Sequence, residues 1–508
     1  MKLEEYIQFD AVALADLVRT KQISAKELLE TALSAADRID PQLNAIVHRL
    51  DERARQRSGY IEDGPFVGVP FLLKDTLEVA NVPVSYGARL LARYVSKESH
   101  AIAHRLDDAG LQIFGRTNMS ELGLLPTTEC QLYGPTANPH NPEYSPGGSS
   151  GGSAAVVAGR IVPMAMASDG GGSIRIPASA CGLFGLKPSR GRTPNVANEP
   201  QDAFVVHHCV SRSVRDSARL LDITTARTPT AGSRFFVPPP VESYEVLCQR
   251  SPRRPLRIAF SYEDYHGRRA SDPCVEAVQK SAKLCESLGH QVSEGRPAID
   301  APLFEAAFKI IWSTAAGYFF RRAQRMLEQL STLPRAIQRA AFHPTTLRAL
   351  AAVNLPGTPT PLVEPVTRKL AAMEQRNTPA DLWLAWSDVR SVEVALSEFF
   401  ERYDIFLSPT LAHPPLRTGS IDQHWSVEKL EAFLNGYAAY TPLGNATGYP
   451  AMSLPLHCTS DGLPIGTHFF APLGREDRLF QLAGQIERAA PWAAEIPQLV
   501  RSALGLRD

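Results

Sequence analysis

Two glycine–serine clusters mark the stretch of this chain best equipped for chemistry. Pro146 to Pro188 reads PGGSSGGSAAVVAGRIVPMAMASDGGGSIRIPASACGLFGLKP, with one cluster at Gly147 to Ser153 and the other at Gly170 to Ser173. Glycine lets main-chain N–H groups approach a ligand closely. A serine hydroxyl can attack a carbonyl, relay a proton or cap a helix. The mostly apolar segment between the clusters is short enough to fold back and bring both to one pocket. Upstream, the apolar run Pro65 to Asp75 ends in Lys74. A lysine finishing a buried strand loses hydration, which lowers its pKa and leaves a neutral amine available as a base.

Four chemistries compete for these residues. A phosphate-binding loop lacks its Gly-Lys-Ser/Thr ending here. A nucleophile elbow matches Gly147-x-Ser149-x-Gly151 formally, but a Pro/Asn loop precedes the serine instead of a strand. Its triad would also need a later acid and histidine, and nothing marks His413 or any other. Ser426 and Lys429 have Ser-x-x-Lys spacing at the start of an exposed helical pattern, a chance match. The fourth reading uses all the unusual features at once. Ser173 attacks a carbonyl carbon, and Gly170, Gly171, Gly172 and Ser173 offer N–H donors to the oxyanion, about 3 kcal/mol for each donor. Ser149 relays the proton and Lys74 accepts it. Run backwards, the relay protonates a departing amine, which an amide leaving group requires. His100 and His104, four apart on a helix, lack a third metal ligand and read as helix surface.

The elements that must position these groups alternate between helix and strand. Leu14, Leu17 and Val18 share a helical face, and Ser24 with Glu27 has capping-box spacing for a second helix that Asp40-Pro41 should end. A helix is expected from Ser99 to Gly110, a strand from Leu111 to Gly115, a helix from Ala154 to Gly159 and a strand from Ile161 to Ala167. Strands at Leu256 to Phe260 and Gln291 to Ser293 flank a helix from Val275 to Leu288. Pro302 to Ser397 reads as a helical insertion, broken by turn residues at Pro356 to Pro359. Tyr403 to Pro409 returns to strand, Ala451 to Leu456 pairs with Pro464 to Phe470, and Arg475 to Ala490 is a last helix. The expected fold is α/β in one domain over 1–508: a mixed sheet between helices, a catalytic core at 66–192 and the insertion at 302–397.

Lys plus Arg and Asp plus Glu both number 53, so bulk charge gives no pull towards nucleic acid or membranes. Seven scattered cysteines without zinc-like spacing read as reduced thiols. No signal-peptide core or membrane-length apolar run is present, so the expected location is cytoplasmic.

GVPFLLKD, GGSSGGS and DGGGSIR, all between Phe66 and Arg192, resemble the amidase signature family. GRTNMSEL (from Gly115), GLFGLKPSRGR (from Gly182), SRSVRDSA (from Ser211) and DGLPIG (from Asp461) extend the resemblance over most of the chain. It implies a mixed sheet between helices and a Ser–cis-Ser–Lys triad: Ser173 as nucleophile, Ser149 as the bridging serine on a cis peptide, Lys74 as base. It further implies an oxyanion hole at Gly170 to Ser173, loops held by Ser150, Asp169 and Arg175, and no cofactor or metal. Members occur as monomers and homodimers. Ile176 stands where the family's glutamine-hydrolysing amidotransferase subunits carry glutamine, so this chain leans towards free-standing amidases of linear or cyclic amides. A glutamine-hydrolysing amidotransferase component is the alternative. A non-catalytic binding role is remote, since all three triad positions are kept. Trp312, Phe319, Phe320, Trp425 and Tyr437 are candidates for lining an apolar substrate pocket.

Overall fold

A computed structural model describes residues 1–61, 63–194, 203–229, 233–331, 333–351 and 361–506. The turn expected at Pro356 to Pro359 lies outside them. Eight strands form the main sheet, in the order Gln291–Glu294, Arg257–Phe260, Ile405–Pro409, Pro464–Phe470, Ala451–Cys458, Phe184–Lys187, Val206–Ser211, Met164–Asp169. The first three run parallel to one another and the remaining pairings are antiparallel. The sheet is therefore mixed.

Strand side chains alternate between two faces, and the sequence supplies apolar residues to both. Ile258, Ile405, Leu407, Met452, Leu454 and Phe469 pack with the helices Val214–Thr224, Asp272–Ser287 and Glu476–Ala489. Their strand neighbours Ala259, Phe406, Ala451 and Phe470 face the helices Ala301–Leu330 and Pro379–Arg402. Helices thus cover both faces, as the sequence predicts.

A second sheet of three strands places Ile46–Arg49 antiparallel to Gln112–Thr117, and Pro70–Lys74 parallel to it. Pro70–Lys74 is buried throughout and packs against the edge strand Met164–Asp169 of the main sheet. Where the two sheets meet, Lys74 faces the glycine–serine clusters.

Several boundaries differ from the sequence reading. Ser24 and Glu27 form the capping box, but the helix Ala25–Leu43 runs through Pro41 instead of ending before it. The stop comes from Asn44, at φ 53°, while Asp40 Oδ1 accepts from the N–H groups of Ala45 and Ile46. The helix after the first cluster starts within it, as Gly151–Ala158, and the next strand is Met164–Asp169, so it extends to the aspartate of the second cluster. Residues 302–397, where described, are mostly helical with short breaks between helices, and Ala301–Leu330 is the longest helix among the described residues. No helix among the described residues is long and apolar enough to cross a membrane.

Candidate active site

Lys74 is 1% exposed, and its Nζ lies 2.8 Å from Ser149 Oγ and 2.9 Å from Ser168 Oγ. Burial drives its pKa from 10.5 down to about 7, with the Asp169 charge opposing the shift. Ser149 follows a cis Gly148–Ser149 peptide bond. A side chain at Gly148 would stand 2.4 to 2.6 Å from the Thr127 backbone, so only glycine fits there. Ser150 Oγ donates to the Ser168 carbonyl at 3.2 Å, joining the first cluster to the strand that leads into the second.

The second cluster is organised by Asp169. Its Oδ1 accepts from Gly172 N–H at 2.7 Å and its Oδ2 from Ile174 N–H at 3.2 Å. Arg175 grips both carboxylate oxygens, at 2.9 and 3.0 Å, and also donates to the Thr441 carbonyl and Asn445 Oδ1. Burial alone would raise the Asp169 carboxyl; Arg175, with Lys187 and Asn445, reverses this and holds it well below the usual carboxylate range. Because Gly172 N–H is committed to Asp169, it is not free for an oxyanion, contrary to the sequence expectation. The N–H groups of Gly170, Gly171 and Ser173 have no acceptor among the described residues. These three are the donors the loop leaves open.

Gly172 sits at φ +132°, and a Cβ on it would stand 2.3 Å from Thr441 Oγ1. Thr441 in turn donates to the Gly171 carbonyl at 2.7 Å. Gly172→Ala is expected to push the loop out of register. The outcome should be a loss of about a hundredfold or more in kcat with an unchanged far-ultraviolet circular dichroism spectrum, checked by steady-state kinetics on an amide.

Lys74, Ser149, Ser168, Gly170, Gly171 and Ser173 all line one cavity of about 960 Å³. Trp312 and Phe319 line it too. Phe320, Trp425 and Tyr437 do not. On a helix consecutive residues point about 100° apart, so with Phe319 turned to the cavity, Phe320 is buried beneath the Arg348 guanidinium. Trp425 packs on Phe433 under Lys429, and Tyr437 is enclosed with Ile176 and Leu411. The aromatic wall is instead completed by Tyr86, Tyr94, Phe204, Tyr265, Phe304 and Phe308.

The sequence reading also passed over Ser168, the second partner of Lys74. Its signal was present: in a strand ending at Asp169, Ser168 must point to the face opposite the aspartate. Thr441, Asn445 and His468, which complete the shell around Asp169 and Arg175, lie 266, 270 and 293 residues beyond Arg175, and no local pattern points to them. His104 is exposed, but His100 is not helix surface: its Nδ1 accepts from Ile102 N–H as a helix cap and its ring lines the cavity. Ser426 is likewise a helix cap, accepting from Lys429 N–H. Among the described residues no group of three or more His, Cys, Asp or Glu is placed to hold a metal ion.

The mixed-sheet fold and the buried lysine–serine cluster together define the class, a hydrolase acting on amide C–N bonds. The chain belongs to the amidase family, whose model matches residues 27–480. It is similar to 6-aminohexanoate-cyclic-dimer hydrolase of Paenarthrobacter ureafaciens, at 33% identity over 507 residues and 97% of each chain. A solved structure of 6-aminohexanoate cyclic dimer hydrolase superimposes with a TM-score of 0.86 at 30% identity, covering 97% of this chain and 99% of that one. The solved chain of a glutamyl-tRNA(Gln) amidotransferase from Thermotoga maritima is more distant, with a TM-score of 0.70 at 22% identity over 98% of both chains, a likeness of fold alone.

Proposed function

We propose that the protein hydrolyses uncharged carboxamides or lactams through an acyl-enzyme on Ser173. Neutral Lys74 accepts the Ser149 proton while Ser149 takes that of Ser173, and the Ser173 Oγ–carbonyl carbon bond forms. The N–H groups of Gly170, Gly171 and Ser173 meet the developing oxyanion. The proton returns through Ser149 to the amine as the C–N bond breaks. Water then attacks the ester by the same relay, releasing the acid and restoring the serine. The observation that carries this reading is the contact of Nζ with Ser149 Oγ by a lysine whose pKa burial brings down to about 7.

A cyclic amide is supported by the likeness to 6-aminohexanoate-cyclic-dimer hydrolase, and an uncharged acyl group by the aromatic wall. The site's residues all come from one chain, which suits a monomer or a homodimer, with no cofactor in the proposed steps. All seven cysteines are free thiols, which suits the cytoplasm.

Labelling with a serine-directed fluorophosphonate, read by intact mass, tests the assignment. One adduct is expected on the wild type, none on Ser173→Ala, and a slowed one on Lys74→Ala. An adduct that persists in Ser173→Ala and disappears in Ser149→Ala would move the nucleophile to Ser149 and overturn the reading.

A further inference from the structure

The cavity does not end at the nucleophile. Its lining follows one side of the helix Ala301–Leu330 from Pro302 through Phe308, Trp312, Phe319 and Arg322 to Gln329. At 1.5 Å per residue the stretch of helix that lines the cavity is about 40 Å long. Wall residues are exposed at both extremes: Pro302 and Ala306 at one, Arg325, Gln329 and Glu98 at the other.

The reacting groups stand between these ends. Phe308 Cζ is 3.7 Å from the point a Cβ on Gly171 would occupy, which sets the oxyanion loop beside the second turn of the helix. From there one arm runs back past Phe304, Tyr265 and Leu434. The other runs forward past the Lys74–Ser168 pair. His207 faces Ser168 across the strand pairing and its ring stands 5.2 Å from His100. Beyond lie Leu91, Tyr94 and Met326.

Charged side chains on the wall engage one another. Lys309 meets Glu431 at 2.6 Å in the first arm; Arg322 donates to Glu78 at 2.9 Å and to Tyr86 OH at 2.7 Å in the second. Around these pairs the wall is largely aromatic and aliphatic, with Leu91, Tyr94 and Met326 in one arm and Phe304, Tyr265 and Leu434 in the other.

We propose that the protein cleaves secondary amides set inside an extended, uncharged molecule, with the acyl part in one arm and the amine part in the other. This rests on the acyl-enzyme reading above and adds a requirement that the reading alone does not contain. A primary carboxamide releases ammonia and leaves one arm without a substituent. A chain in that arm buries apolar surface that stays bound while the C–N bond breaks, and binding energy of this kind can be used to position the carbonyl. Chemistry is unchanged: the Ser173 Oγ–carbon bond forms, the C–N bond breaks and the departing amine takes the relayed proton.

The test is kcat/KM for two homologous series: hexanamide, N-butylhexanamide and N-hexylhexanamide; then the acetyl, butanoyl and hexanoyl amides of hexylamine. A rise of about tenfold or more is expected along each series. Ala315 and Ala438 are half-buried wall residues, one in each arm. Ala315→Phe and Ala438→Phe should each flatten one series and spare the other. Hexanamide turned over as fast as N-hexylhexanamide, or both variants flattening both series alike, overturns the proposal and leaves the amidase standing. Failure of the acyl-enzyme reading shows separately, as the absence of a fluorophosphonate adduct on Ser173.

Discussion

Ser173→Ala is expected to lower kcat/KM by about 10⁵- to 10⁶-fold while leaving the thermal midpoint within a degree or two of the wild type. The first figure follows from serine hydrolases in general, where removing the nucleophile costs nearly as much as removing the whole set of reacting groups. The second follows from this site. Ser173 is 8% exposed, and its hydroxyl makes no hydrogen bond among the described residues, so its removal strips nothing from the fold. Because the proposed relay makes the three side chains one unit, Ser173→Ala combined with Lys74→Ala should be no slower than Ser173→Ala alone. Progress curves on an apolar amide, with calorimetry on the same samples, check both. A double variant slower by the product of the two single losses would mean that Lys74 and Ser173 act in separate steps. A large fall in the thermal midpoint of Ser173→Ala would mean that the serine is structural.

What the sequence made legible here was local. Lys74, Ser149 and Ser173 are readable because each sits in a short run whose composition has few other uses: an apolar strand with a terminal amine, and two glycine clusters carrying hydroxyls. The mixed sheet is readable because Ile258, Leu407, Met452 and Phe469 alternate with Ala259, Phe406, Ala451 and Phe470, filling two faces. The cavity wall was not readable in the same way. Phe319 and Phe320 are identical neighbours, and only the rotation of the helix decides which one meets the cavity. Tyr86, Phe204 and Tyr265 reach the same wall from three distant segments, so no window of sequence contains them together. The commitment of Gly172 N–H to Asp169 is hidden for a related reason. Three consecutive glycines look equivalent until the folded loop commits the third one's N–H to Asp169 Oδ1 and gives that residue a φ of +132°.

Lys74→Met should abolish hydrolysis and also make the protein more stable, most of all below pH 7. In the folded chain the amine titrates near 7, against 10.5 in water. Below pH 7 both folded and unfolded chains hold the proton, and the folded one bears the full penalty of a buried ammonium, on the order of 5 kcal/mol. Between pH 7 and 10.5 the unfolded chain binds more protons than the folded one, so wild-type stability climbs relative to the variant. Above 10.5 both chains are neutral and that part of the difference is gone. Chemical denaturation at pH 5.5, 7 and 9 should therefore show the advantage of Lys74→Met shrinking with pH. Wild-type kcat/KM should follow the neutral amine, falling about tenfold for each pH unit below 7. Groups around the lysine do not confuse this limb: Arg175 holds Asp169 ionised, and burial keeps His207 neutral. Lys187 is also buried and brought to about 7, but its Nζ donates to the Pro188 carbonyl and does not reach the cavity. It should shift stability with pH in wild type and Lys74→Met alike, and so cancel from their difference. A stability gap that stays constant from pH 5.5 to 9 would show that the folded lysine keeps its proton across that whole range, and the base for Ser149 would have to be sought elsewhere.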